Sequence, residues 1–178
     1  MTAFSCAIGT GGTLAGCATY FRNHNPSIQI GHTDPQGAAL HRYFLNGELK
    51  SVGDSITEGI GQGRVTANIE GFHPDYTYEI DDNAALKSCY ELLNNEGLAL
   101  GMSSGINVAG AERLALDLGP GNTLVTILCD SSSRYQGKMF NIEFLKEKGL
   151  PQSDWLNPIL PDDVTEALDR AIVQEEEG

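Results

Sequence analysis

Short apolar runs and helical periodicities take turns along this chain. The runs AFSCAIG, SIQIGH, LALGM and NTLVTILC each end in a polar or glycine-rich turn that opens a helical pattern. That alternation predicts an α/β domain of three layers (αβα) on a mainly parallel, twisted sheet. After the first run, Leu14, Cys17, Ala18 and Phe21 recur at i, i+3, i+4 and i+7 and mark the buried stripe of a helix. Leu86, Cys89, Tyr90 and Leu93 repeat that spacing, with Asp82 placed to cap the helix and Gly97 to stop it. SSGINVAGAERLALDL is apolar nearly all round and is expected to pack deep in the domain. Asp163 and Glu166 make a capping-box pattern ahead of Val164, Ala167, Leu168, Ala171 and Ile172, a last amphipathic helix. Between residues 45 and 82 the periodicity lapses: LNGELKSVGDSITEGIGQGRVTANIEGFHPDYTYEIDD reads as an irregular stretch suited to a functional loop or a subunit contact.

Composition narrows the function classes. With 178 residues and 40% hydrophobic content the chain can bury one sizeable core. A formal net charge of -13 repels phosphate backbones and anionic membrane surfaces, so no nucleic acid and no membrane is expected as a partner. No apolar run reaches the roughly 18 residues of a membrane helix, and MTAFSCAIG lacks the basic start of a signal peptide. The four cysteines, Cys6, Cys17, Cys89 and Cys129, lie in apolar surroundings without CxxC spacing. They read as buried free thiols, and the expected location is a reducing cytoplasm. His24, His32, His41 and His73 show no metal-ligand spacing and read as surface or helix-end residues; no metal is expected.

In open α/β sheets, ligands sit outside the carboxyl ends of the strands, which selects the turns GTGGT, HTDPQG, GMSSG and CDSSSRY. In GTGGT, glycines leave backbone N–H groups free to converge on an anion at a helix start, and threonine hydroxyls add donors. A phosphate is the natural guest, the alternative being a tight turn. A dinucleotide fingerprint needs glycine where Leu14 stands, and a P-loop needs a GK[ST] that is absent. Ser103 either caps the helix it opens or points at a ligand. Asp130 either forms a turn or borders the same ligand. The segment Gly59, Ile60, Gly61 is either a flap over a ligand or a glycine-rich connection. No GxSxG elbow is present, and no hydrolytic nucleophile is indicated.

In this order, GTGGTLAG, HTDPQGAAL, ITEGIGQGRVTANIEG, LGMSSGINVAGA and ILCDSSSRYQGKMFN closely resemble the C-terminal half of cysteine synthase, the O-acetylserine sulfhydrylase family of fold-type II pyridoxal-phosphate enzymes, with the sheet of tryptophan synthase β-like folds. The resemblance runs from about residue 3 to residue 150. It implies that pyridoxal 5'-phosphate is the cofactor and that Gly9, Thr10, Gly11, Gly12 and Thr13 bind its phosphate. It places Ser103 against the pyridine nitrogen, and Gly59, Ile60 and Gly61 near the bound amino acid. A neutral hydroxyl there leaves the ring a weaker electron sink, suited to β-elimination and replacement. The implied reaction makes cysteine from O-acetylserine and sulfide, an amino-acid-biosynthesis transferase. Cystathionine β-synthase, a related β-substituted alanine synthase, and a non-catalytic phosphate-binding module are the alternatives.

The resemblance further implies a homodimer, and serine acetyltransferase as a docking partner. The family's Schiff-base lysine and substrate-carboxylate loop precede its GTGGT turn, which here begins at Gly9. Lys50, Lys87, Lys138, Lys146 and Lys148 read as surface charges. No catalytic residue is therefore assigned in this chain, which is expected to be a fragment inactive by itself. Residues 1–150 are expected to form the cofactor-binding domain and residues 151–178 a C-terminal helix and acidic tail. Ser132, where the family pattern has glycine, is expected to strain the turn if that position needs a positive φ.

Overall fold

The computed structural model describes residues 1–156. Strands β1 (Ala3–Ala7), β2 (Gln29–Pro35), β3 (Tyr76–Ile80) and β4 (Leu124–Thr126) form a sheet in the order β3-β2-β1-β4, with every pairing parallel. Helices α1 (Gly12–His24) and α2 (Ala39–Asn46) cover one face; α3 (Asp82–Glu96) and α4 (Met102–Leu118) cover the other. The period-2 alternation of β1 accounts for both cores. Phe4, Cys6 and Ile8 enter the α1/α2 core with Leu14, Ile30 and Leu40, while Ala7 enters the α3/α4 core with Leu86, Met102 and Ile106. The three-layer α/β expectation holds.

Two elements differ from the sequence reading. LALGM is not a strand: it contributes an isolated antiparallel bridge between Leu100 and Ser131 and then hands over to α4. The fourth strand instead comes from YTYEI, inside the stretch expected to be irregular. Its alternation is local and short, bounded by Asp75 and Asp81, and it becomes a strand because β2 offers an open edge to pair with. The helical expectations fare better. Ten residues of α4 are buried, and a Cβ on Gly110 would lie 1.9 Å from Thr33 Cγ2, so only glycine lets this helix approach the sheet so closely. Helix α3 ends on Gly97 at φ 69°, but its cap is Asp81, whose carboxylate accepts from the Ala84 N–H. Asp82 is the first helical residue and turns inward.

Burial corrects two further readings. Cys6 and Cys89 are buried, Cys17 is half-buried, and Cys129 is exposed; all four thiols are free. His32 is wholly buried rather than at the surface, because its strand is covered on both faces. The helix expected from Asp163 onward lies outside the described residues. Among the described residues no helix is long and apolar enough to cross a membrane.

Candidate functional site

The carboxyl ends of β1, β2 and β4 are tied to α4 by one side chain. Asn107 Oδ1 accepts from the Ala7 N–H at 2.7 Å and from Thr33 Oγ1 at 3.2 Å, while Nδ2 donates to the Ile127 carbonyl at 2.8 Å. Asn107 is fully buried. It was not singled out from the sequence, although a lone amide in the apolar run GINVAGA is a visible signal, since a buried amide must find partners.

Ile8 anchors the GTGGT turn in the α1/α2 core, and the turn itself opens to solvent. Gly11 is the N-cap of α1, at φ 87° and ψ -13°, with no side chain capping the first turn and no acidic residue in it. Among the described residues the first N–H groups of this 13-residue helix therefore have no protein acceptor, and the helix dipole makes the spot favourable for an anion. The hydroxyls of Thr10 and Thr13 make no hydrogen bond among the described residues, and both residues are exposed. The turn is held from outside: the Thr10 carbonyl accepts from Thr66 Oγ1 at 2.8 Å and from Asn68 Nδ2 at 3.0 Å. A Cβ on Gly11 would lie 2.3 Å from Ile69 Cγ2.

The segment from Gly59 to Gly61 lies against this turn. A Cβ on Gly9 would stand 3.0 Å from the Gly59 carbonyl oxygen, and one on Gly61 would stand 2.9 Å from Pro35 Cγ. Ile60 packs on the α3/α4 core. Two anchors hold the approach to this segment. The buried Asp82 carboxylate accepts from Ser55 Oγ, from the Ile56 N–H at 3.0 Å and from Gln36 Nε2 at 3.4 Å. Lys138, half-buried rather than a free surface charge, donates to the Ile56 carbonyl at 3.2 Å and pairs with Glu58. That pairing holds the Glu58 carboxyl below the usual carboxylate range. Pro35, Gln36, Ser55, Thr57, Ile60 and Gly61 line a cleft of about 180 Å3.

The third cluster sits at the start of α4. Gly101, not Ser103, is its N-cap. Ser103 is 8% exposed and its hydroxyl has no hydrogen bond among the described residues, so it is not committed to capping. Its neighbour Ser104 is committed: Ser104 Oγ accepts from the Cys129 N–H at 2.8 Å. Gly101 N–H donates to the Asp130 carbonyl at 2.9 Å, so the α4 start and the turn after β4 lie side by side. Asp130 Oδ2 accepts from Tyr135 Oη at 2.6 Å, which pushes the pKa of the Tyr135 hydroxyl up to about 12; Asp130 Oδ1 is buried and has no hydrogen-bond partner among the described residues. Ser132 lies in a 3-10 turn (Ser132–Tyr135), and no non-glycine among the described residues has a positive φ. The serine in DSSSRY therefore fits without backbone strain.

These residues share the carboxyl edge of the sheet: donors without acceptors at GTGGT, an uncommitted hydroxyl at Ser103, and a glycine-rich segment packed between β1 and β2. A family model described as pyridoxal-phosphate dependent enzyme matches residues 1–130. The chain belongs to this family. Cysteine synthase 1 of Neurospora crassa is 42% identical over 153 residues, covering 83% of this chain and 41% of that protein. Cysteine synthase 1 of Emericella nidulans is 41% identical over 158 residues, covering 84% and 42%. The crystal structure of O-acetylserine dependent cystathionine beta-synthase from Helicobacter pylori aligns with a TM-score of 0.69 at 32% identity, covering 78% of this chain and 43% of that one. The chain thus spans less than half the length of these relatives. The residues present fit the family's cofactor, since an anionic phosphate suits the free N–H groups of α1 and an aromatic nitrogen suits a nearly buried hydroxyl without a partner.

Proposed function

We propose that this chain holds and orients pyridoxal 5'-phosphate for β-replacement on an amino acid, with O-acetylserine and sulfide as substrates and cysteine as product. The observation that carries the reading is the uncommitted Ser103 hydroxyl on the same sheet edge as the uncapped GTGGT turn. In this reading Gly9, Thr10, Gly11, Gly12 and Thr13 hold the phosphate. Ser103 donates to or accepts from the ring nitrogen, Asp130 borders the ring, and Gly59, Ile60 and Gly61 close on the substrate. When bound, the cofactor supplies an electron sink for departure of acetate from the β-carbon and addition of sulfide there. Ser103 limits protonation of the ring nitrogen, a neutral partner favouring elimination and replacement over transamination.

Lys50, Lys87, Lys146 and Lys148 are exposed, and Lys138 is occupied by Glu58 and Ile56. We therefore assign no Schiff-base lysine among them, and the 178 residues by themselves are expected to bind without turnover. The cofactor-binding unit is proposed to span residues 1–150, in a cytoplasmic protein that works as a homodimer and docks serine acetyltransferase.

Calorimetric titration of pyridoxal phosphate into the chain tests the first step, with Thr10→Val plus Thr13→Val, and Ser103→Ala, as variants. Absence of binding, or binding that ignores all three substitutions, overturns the site. The substrate is tested on the protein that carries this chain, with O-acetylserine, O-phosphoserine and serine in turn; exclusive use of serine overturns the donor.

A further inference from the structure

On the α1/α2 side of the sheet, four groups from three elements line up without serving the site above. His32 and Asp34 alternate on β2, Thr77 faces them from β3, and His41 comes from the first turn of α2. Thr77 Oγ1 stands 3.0 Å from His32 Nδ1 and 3.0 Å from His41 Nδ1. A hydroxyl has one proton, so it donates to one of these rings and accepts from the other. At the far end, His32 Nε2 and Asp34 Oδ1 are buried, have no hydrogen-bond partner among the described residues, and lie 3.8 Å apart. A shift of about 1 Å brings them to hydrogen-bond distance. The other oxygen, Asp34 Oδ2, accepts from the His41 N–H at 2.9 Å and so supplies the cap that Ala38 does not give α2.

We propose that His41, Thr77, His32 and Asp34 form a proton relay through which the buried Asp34 carboxyl exchanges its proton with solvent, setting the strength of the cap on α2 beside the cleft. The steps balance. A proton arriving at His41 Nε2 releases the proton on His41 Nδ1 to Thr77 Oγ1. The proton already on Thr77 passes to His32 Nδ1, and His32 Nε2 gives its own to Asp34 Oδ1. Both imidazoles begin and end neutral with their tautomers reversed, and one proton has been taken up by the carboxyl.

Burial holds His32 neutral, its pKa pushed down to about 3, and lifts Asp34 to about 7 against the pull of the His41 and Leu40 N–H groups. The surroundings neither fix nor forbid this charge. Glu79 of β3 raises Asp34; Arg42 of α2 and Arg113 of α4 act on His41; Cys6, the register partner of His32 on β1, is an uncharged thiol lifted to about 12. The Phe44 ring packs edge-on against His32. Asp34 is followed directly by Pro35, on which Gly61 rests, so the state of this carboxyl reaches the cleft wall through one peptide unit.

Nitrogen-detected NMR of the imidazoles in the 178-residue chain tests the relay. His32 is expected to carry its proton on Nε2 at about pH 8 and on Nδ1 at about pH 6. Asp34→Asn presents an amide N–H to His32 Nε2 and should pin the Nδ1–H form at both values. Thr77→Val should abolish the flip, and Thr77→Ser should restore it. One unchanging tautomer in the unaltered chain, a cationic His32 at about pH 6, or a flip that survives Thr77→Val overturns the proposal.

Discussion

Replacing Asn107 by alanine should be among the most damaging single changes in this domain. The substitution strips the Ala7 N–H and the Ile127 carbonyl of their partners and leaves Thr33 Oγ1 without its acceptor. An orphaned buried group costs about 1–3 kcal/mol, and the vacated volume adds a cavity cost. Together the loss should be about 3–5 kcal/mol, a large share of the roughly 5–15 kcal/mol that holds a domain together. Asn107→Asp makes the test specific. A protonated aspartate reproduces both the acceptor and the donor, so at acid pH the variant should be close to the parent. An ionised one cannot donate to Ile127 and is buried, so its folded pKa is raised and stability falls as pH rises through the window between the unfolded and folded values. Urea unfolding followed by circular dichroism, run at several pH values, measures both. Since Ala7 leads into the GTGGT turn, pyridoxal phosphate affinity should fall with stability. An alanine variant that loses less than about 1 kcal/mol, or an aspartate variant whose loss does not change with pH, would refute the role given to this amide.

Gly11→Ala combines a left-handed backbone at φ 87° with a Cβ 2.3 Å from Ile69 Cγ2, and should cost about 2–5 kcal/mol and weaken phosphate binding; an unchanged thermal melt excludes it. Asp82→Asn removes one acceptor from the clamp on Ser55 and Ile56, worth about 1–3 kcal/mol, and should speed amide exchange from Ile56 to Gly61 by roughly tenfold or more. The His32 and Asp34 shifts oppose one another. With folded values near 3 and 7, His32 loses stability as pH falls below about 6.5, whereas Asp34 gains it as pH falls from about 7 toward 4, so the pair is nearly flat between about pH 4.5 and 6. Asp34→Asn leaves the His32 contribution alone and should make stability fall by up to about 1.4 kcal/mol per pH unit of acidification in that window; a variant as flat as the parent contradicts the buried neutral histidine.

Much of the local backbone around the candidate site could be read along the chain because it is written in local signals. The GTGGT turn, the amphipathic stripe of α1 and the apolar α4 follow from backbone freedom and periodicity within a few residues, and they appear where those signals put them. The uncommitted hydroxyl of Ser103 was half legible: its place at a helix start is local, but its release from capping depends on Gly101 taking that position. What only the tertiary structure decided concerns who covers whom. YTYEI became a strand because β2 left an edge free, and Cys129 stayed exposed because it follows an edge strand of three residues. His32 was buried by helices and strands far from it in sequence. Asn107 meets Ala7 across 100 residues, and Asp82 reaches Ser55 across 27. Burial and hydrogen-bond satisfaction are properties of the assembled layers, whereas propensity and turn chemistry belong to the neighbouring backbone, and only the second kind can be read before the layers meet.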